Sequence, residues 1–264
     1  MATSAPESSA SDCPQRAAPL LAPHPAIAGS YSRDTDKRGF LTSIFDETAG
    51  DYDRMEAWLS LGSGRWYRRQ ALLRAGLASG MHVADVATGT GLVAGEALSI
   101  IGPGGRLVGI DPSVQMMRRA RERLGIETVV GTAEALPFAD ATFDFVSVGY
   151  ALRHVEDLSS ALAEFRRVLR PGGRVCILEI TRPGTRIGRG LLRAYLGSVS
   201  RLAGTLAGLS PRTPELWRYY WQTIDRCIPP ARVLEAIRSA GFISVSRRVA
   251  CRICSEYVAL APGG

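Results

Sequence analysis

The stretch Val83-Ala84-Asp85-Val86-Ala87-Thr88-Gly89-Thr90-Gly91, with Asp111 closing the run Val108-Gly109-Ile110-Asp111 twenty positions after Gly91, decides the fold. It reads as a buried strand, a tight glycine turn, the start of a helix, and a second strand ending in a carboxylate. Glycines let the backbone approach a ligand closely, a helix start offers free N–H groups, and a carboxylate at Asp111 suits a ribose diol. The loop therefore points to a nucleoside cofactor.

Two cofactors fit this pattern. Gly89-x-Gly91-x-x-Ala94 matches the relaxed dinucleotide fingerprint, in which a pyrophosphate rests on the helix end. Asp85, however, stands at the mouth of the loop, where a carboxylate repels pyrophosphate and attracts the ammonium of a methionyl group. That charge favours S-adenosylmethionine. The competing classes are a nicotinamide-dependent oxidoreductase, a non-catalytic nucleotide-binding protein, and a turn whose glycines serve only helix-on-strand packing.

Working outward, the sequence suggests strands at 83–87, 106–110, 127–130, 143–148 and 174–180, with helical stretches between them. Val114, Met117, Ala120 and Leu124 share one helix face, as do Leu158, Leu162, Phe165 and Leu169. Phe45, Ala49, Tyr52, Met55 and Leu59 follow helical spacing, and a further helix is expected over 65–77. Pro103-Gly104-Gly105 and Pro171-Gly172-Gly173 read as turns into the following strands. A helix over 231–240 and apolar runs near 242–249 and 257–260 complete the pattern as an antiparallel pair at one edge. The expected fold is α/β: a doubly wound, mostly parallel seven-stranded sheet of Rossmann-like type.

At 264 residues and 46% hydrophobic content, one domain with extensions is the default. The expected division is a disordered leader over 1–39, rich in Ala, Ser and Pro, followed by a catalytic domain over 40–264. Within that domain, 183–222 is expected to form a helical cap over a substrate pocket. Ile187, Leu191, Leu192, Tyr195, Val199, Leu202 and Leu206 make an apolar stripe there with arginines among them, a pattern that also suits the surface of a membrane. No run of about 18 uncharged apolar residues is present, and nothing in the leader resembles a secretory or organellar signal. A cytoplasmic protein, peripheral at most to the membrane, is expected.

The net charge of +7 is carried by arginine, since Lys37 is the sole lysine. The basic residues are not interleaved with aromatics as in a nucleic-acid module, so no nucleic-acid partner is expected. Cys251-Arg-Ile-Cys254 is half a zinc site without a second pair, so no metal is expected either, and the five cysteines read as reduced thiols. Composition leaves oligomeric assembly open.

From Phe45 to Leu260 the chain resembles the S-adenosylmethionine-dependent C-methyltransferases of ubiquinone and menaquinone biosynthesis. The resemblance is carried by Phe45-Asp46-Glu47-Thr48-Ala49-Gly50-Asp51-Tyr52-Asp53-Arg54-Met55, the glycine loop, Ala133-Glu134-Ala135-Leu136-Pro137-Phe138, Ala151-Leu152-Arg153-His154-Val155, Arg170-Pro171-Gly172-Gly173-Arg174 and Leu178-Glu179-Ile180-Thr181. It implies cofactor contacts at Thr90, Asp111, Thr132, Ala133 and Gly149. Asp85, Gly89 and Gly91 join them as the loop, Met116 as a residue able to pack on adenine, and Tyr52 as part of a lid. The family usually has Asn where this chain has Glu56, His154 and Thr132, and its glycine-bearing end is replaced by residues 251–257.

The resemblance implies C-methylation of a hydrophobic aromatic or quinol ring, with tailoring of another small molecule as the alternative acceptor class. Such a ring becomes nucleophilic when a neighbouring hydroxyl loses its proton. His154 is the candidate base and Arg153 the candidate stabiliser of the phenolate. The alternative is that Arg153 pairs with a carboxylate and His154 caps a helix.

Overall fold

The computed structural model describes residues 21–27, 30–31, 36–206 and 212–263. The apolar runs become a seven-stranded sheet in the order β3-β2-β1-β4-β5-β7-β6. Its strands are β1 His82–Val86, β2 Arg106–Asp111, β3 Glu127–Val130, β4 Phe143–Gly149, β5 Leu169–Ile180, β6 Ile243–Ala250 and β7 Cys254–Leu260. The first five pair in parallel, while β7 runs antiparallel to β5 and β6 antiparallel to β7. The helices are α1 Lys37–Thr48, α2 Tyr52–Leu59, α3 Gly64–Arg74, α4 Leu92–Ile101, α5 Val114–Leu124, α6 Leu158–Val168, α7 Arg186–Leu206, α8 Thr213–Arg226 and α9 Pro230–Ser239.

Strands covered on both faces must be apolar almost throughout, and β1 and β4 are: Val83, Ala84, Phe145 and Val146 are fully buried. Local chemistry sets the helix ends. Ser113 Oγ accepts the Met116 N–H at 3.1 Å to start α5, and Gly125, left-handed at φ 65°, ends it. Asp157 caps α6 by accepting the N–H groups of Ser159 and Ser160. One core layer joins Val146, Val148 and Ile177 to Leu162, Phe165 and Ile237. A second joins Val83, Phe145 and Leu178 to Leu72, Ala97 and Ile101. A third, made of Ile27, Ile44, Leu196, Leu216 and Tyr219 among others, ties α1, α7 and α8 together.

Three expectations need correction. The single helical pattern over Phe45–Leu59 is broken into α1 and α2: Thr48 Oγ1 donates to Ile44 O at 2.6 Å, and Gly50 lies in the connection between them. Pro171-Gly172-Gly173 is a bulge inside β5 rather than a turn before it, with Gly172 at φ 77° and the register shifting between Phe143 and Phe145.

The third concerns the leader, of which 1–20, 28–29 and 32–35 lie outside the described residues. Residues 21–27 are packed. Leu21 N donates to Asp157 Oδ1 at 2.8 Å, Leu158 N donates to Leu21 O at 3.0 Å, and Ile228 N donates to Pro23 O at 2.7 Å. Ile27 is fully buried, and α1 already begins at Lys37. An irregular segment that buries single residues and borrows hydrogen bonds from other loops has no periodicity to detect.

Candidate active site

The carboxyl ends of β1, β2 and β4 meet where the strand order reverses, between β1 and β4, the crevice in which open α/β sheets bind ligands. After β1 the chain turns through Ala87 (φ 55°) and Gly89 (φ 56°), and Gly91 (φ 83°) opens α4. The two glycines answer different needs. A Cβ on Gly89 would meet nothing within 4 Å, whereas one on Gly91 would come within 2.7 Å of Leu124 Cδ1 and 3.3 Å of Ala120 Cβ. Gly89 leaves open space above the loop, and Gly91 lets α4 approach α5.

That open space belongs to a slot of about 130 Å³ lined by Gly89, Asp111, Met116, Thr132, Ala133 and Gly149 from the sheet side. Phe45 and Tyr52, from α1 and α2, and His154 close it. Asp111 stands at its polar end, accepting the Gly89 N–H and the Ser113 N–H at 2.8 Å each. Burial pushes its carboxyl up to about 6, against the pull of those two donors. A buried acceptor beside a loop without a side chain, above an apolar floor, is the chemistry a nucleoside needs. These residues fit S-adenosylmethionine.

Asp85, Thr90 and Gly91 are not part of the slot lining; they lie one layer behind it. Asp85 accepts the Ser147 hydroxyl at 2.6 Å and the Thr88 hydroxyl at 2.7 Å, and burial pushes it up to about 6. Thr90 Oγ1 donates to Asp53 Oδ1 at 2.5 Å, tying the loop to α2.

A second chamber, of about 430 Å³, lies beneath α7 and α8 and is largely apolar and aromatic: Met55, Leu59, Ile180, Leu192, Leu196, Trp217 and Ile224 line it. Tyr52 and Tyr150 line both cavities. Tyr150 holds φ 59°, a left-handed conformation that costs a non-glycine residue about 1 kcal/mol or more. Among the chamber's few charged groups, Glu56 accepts Arg68 Nη1 at 2.6 Å, so the chain's departure from the family's Asn is matched by a cation.

Arg153 and His154 share a single 3-10 turn, Leu152–His154, yet they diverge. Arg153 lines the chamber. It is 2% exposed, ion-paired through Nη1 to Glu179 Oε1, and sits 5.1 Å from the centroid of the Tyr220 ring. His154 lines the slot, where Nδ1 lies 2.9 Å from the Tyr219 hydroxyl and its ring stacks on that of Tyr219 at 5.4 Å. Burial, and then the charges of Arg153, Lys37 and His24, hold its pKa well below 6.5. Sequence reasoning missed Tyr150, Tyr219 and Tyr220; the aromatic density of Trp217-Arg218-Tyr219-Tyr220-Trp221 was the available signal.

The model of the ubiE/COQ5 methyltransferase family matches residues 32–259. The chain belongs to this family. It is 35% identical, over 87% of its length and 92% of the relative's, to the ubiquinone/menaquinone biosynthesis C-methyltransferase UbiE of Hahella chejuensis. It is 34% identical, over 76% and 81% of the two chains, to the demethylmenaquinone methyltransferase of Lactococcus lactis. Among solved structures, a SAM-dependent methyltransferase of Thermotoga maritima, described as a possible histamine N-methyltransferase, superposes with a TM-score of 0.60 at 21% identity, covering 84% of this chain and 99% of that one. That likeness is one of fold. The protein is an S-adenosylmethionine-dependent methyltransferase.

Proposed function

We propose that the protein methylates a ring carbon of a hydrophobic quinol or related aromatic, a reading supported by relatives named as a ubiquinone/menaquinone biosynthesis C-methyltransferase and a demethylmenaquinone methyltransferase. One observation carries the reading: the slot that holds Asp111 and the apolar chamber share Tyr52 and Tyr150 as walls. When bound, S-adenosylmethionine supplies an electrophilic methyl group on a sulfonium. Asp111 accepts its ribose hydroxyls, Met116 and Ala133 flank the adenine, and Thr132, Gly149 and Gly89 complete the slot. Asp85, Thr90 and Gly91 act from behind by fixing the loop.

In the chamber, the ring is held by Leu192, Leu196 and Trp217, and Arg153 faces the oxygen whose ionisation makes the ring carbon nucleophilic. Positioning then does most of what in-line methyl transfer requires. His154 closes the slot. Because it faces away from the chamber, His154→Asn should lose far less than the ~100-fold expected on removal of a general base.

The deciding experiment supplies S-adenosylmethionine and a 2-prenyl-1,4-naphthoquinol, and reads ring methylation by mass spectrometry. Leu192→Asp should raise the acceptor KM with cofactor affinity unchanged. Faster methylation of a small water-soluble amine or catechol would overturn the reading.

The partner surface follows from the same element. Between Thr181 and Thr213 the sequence holds six arginines and no carboxylate, and Ile187 and Leu191 on α7 and Trp66 beside the chamber are 77%, 67% and 67% exposed. This combination suits an anionic bilayer surface, from which a lipid-soluble acceptor would enter. Among the described residues no helix is long and apolar enough to cross a membrane. Ile187→Glu should weaken sedimentation with phosphatidylglycerol vesicles, and unchanged sedimentation would remove the proposal.

A further inference from the structure

The pair Cys251 and Cys254 is absorbed by neither the cofactor slot nor the methyl-transfer step, and both residues line the acceptor chamber. They flank a tight turn between β6 and β7, closed by Ile253 N donating to Ala250 O at 3.2 Å. Cys251 (φ 50°) and Arg252 (φ 63°) both hold left-handed backbone without being glycine, a strain that persists only where the surroundings over-determine it. The turn is also pinned to the end of β5, where Thr181 N donates to Ile253 O at 2.7 Å. Both thiols are free: Cys251 is exposed and Cys254 half-buried. Two free sulfurs three residues apart thus stand on the wall of the chamber proposed above to take the acceptor ring.

The acceptor chemistry gives such a dithiol a task. The ring carbon can attack a sulfonium only in the electron-rich quinol; the oxidised quinone is electron-poor and inert as a nucleophile. We propose that Cys251 and Cys254 reduce a quinone bound in the chamber to the quinol that is then methylated, an inference that rests on the acceptor class proposed above. The more exposed Cys251, as thiolate, adds to a ring carbonyl carbon, and that oxygen takes up a proton. Cys254, whose thiol is pushed by burial up to about 11, loses its proton as it attacks the Cys251 sulfur, forming the S–S bond and breaking the S–C bond. The S–C electron pair passes into the ring, which becomes aromatic, and the second oxygen is protonated. The two thiols lose two electrons and two protons, and the quinone gains both, so dithiol plus quinone gives disulfide plus quinol. A small-molecule dithiol restores the enzyme for the next turnover.

The test uses the full chain, reduced and freed of reductant under anaerobic conditions, with S-adenosylmethionine and one equivalent of oxidised 2-prenyl-1,4-naphthoquinone. The expected result is close to one equivalent of quinol plus methylated product per chain, loss of two titratable thiols, and a peptide containing the Cys251–Cys254 disulfide. Cys251→Ser and Cys254→Ser should each lower the ratio of activity on quinone to activity on chemically prereduced quinol by at least tenfold. Retention of all thiols with no quinol formed, while prereduced quinol is methylated, overturns the dithiol role and leaves the acceptor class standing. A stable thioether between Cys251 and the ring overturns it too. Failure to methylate prereduced quinol strikes instead at the acceptor class, because quinol formation is read separately by its absorbance.

Discussion

In the proposed cofactor site, Asp111 is the side chain placed to accept the ribose hydroxyls. Its carboxyl is pushed up to about 6 by burial, and only the ionised form accepts from two ribose hydroxyls at once. Asp111→Ala leaves both hydroxyls unpaired, which costs roughly 1.5–3 kcal/mol, or about 10- to 150-fold in Kd; calorimetry with S-adenosylhomocysteine measures it, and undiminished affinity would defeat the assignment. In the free protein the raised value favours folding at low pH, a contribution lost as pH rises through about 6. Cofactor affinity moves the other way, falling as pH drops below about 6, and Asp111→Asn should abolish that dependence. Arg153 poses a different question, because its guanidinium is both buried and committed to Glu179. Removing one partner of a buried pair leaves the other uncompensated, at about 3–5 kcal/mol, whereas replacing both with apolar groups is often neutral. Arg153→Met should therefore destabilise strongly, and Arg153→Met with Glu179→Leu should recover most of the stability in urea denaturation. If the double variant also recovered methylation, Arg153 would be structural only. That Arg153 pairs with a carboxylate was one of the two readings the sequence offered; that the carboxylate is Glu179, and that His154 diverges from Arg153, were not legible, since both depend on which way a three-residue 3-10 turn points its side chains.

At the scale of elements, legibility followed periodicity. The glycine loop, β2 with its terminal carboxylate, and the apolar face of α5 carry strong local signals, and the structure has β2 within a residue of the expected bounds. The segment from Leu21 to Ile27 has none, because its order comes from hydrogen bonds to two distant places, two at Asp157 and Leu158 where α6 starts and one at Ile228 after α8. Burial of Ile27 alone is worth about 1.5–3 kcal/mol, and Lys37 Nζ donates to Val155 O at 2.6 Å from the start of α1, beside the turn that carries Arg153 and His154. Deleting residues 1–27 should consequently lower the melting temperature by several degrees, at about 2–4 °C per kcal/mol for a chain of this size. Deleting 1–20 serves as the comparison: if both truncations melt together with the full chain, the contacts of 21–27 contribute nothing measurable.

Across the whole molecule, the slot is a place where the N-terminal helices and the sheet face one cavity, so that the proposed cofactor would touch both. Phe45 and Tyr52 come from α1 and α2, while Asp111, Thr132 and Gly149 come from the strand ends. Direct polar ties join the two sides at several points: Lys37 to Val155 O, Arg38 to Glu156, Ser113 to Asp46, and Thr90 and Arg123 to Asp53. A ligand filling the slot adds contacts to both sides at once, so its effect should reach well beyond the residues it touches. S-adenosylhomocysteine at 100 times its Kd stabilises the folded state by about 2.7 kcal/mol, and amide exchange locates where that stabilisation appears. Protection should rise across Lys37–Leu59 as well as in the glycine loop and the end of β2, because opening α1 and α2 would then require release of the ligand. Protection confined to the loop and β2 would mean that the N-terminal helices open independently of the slot, and Tyr52 would lose its place as a wall between cofactor and acceptor.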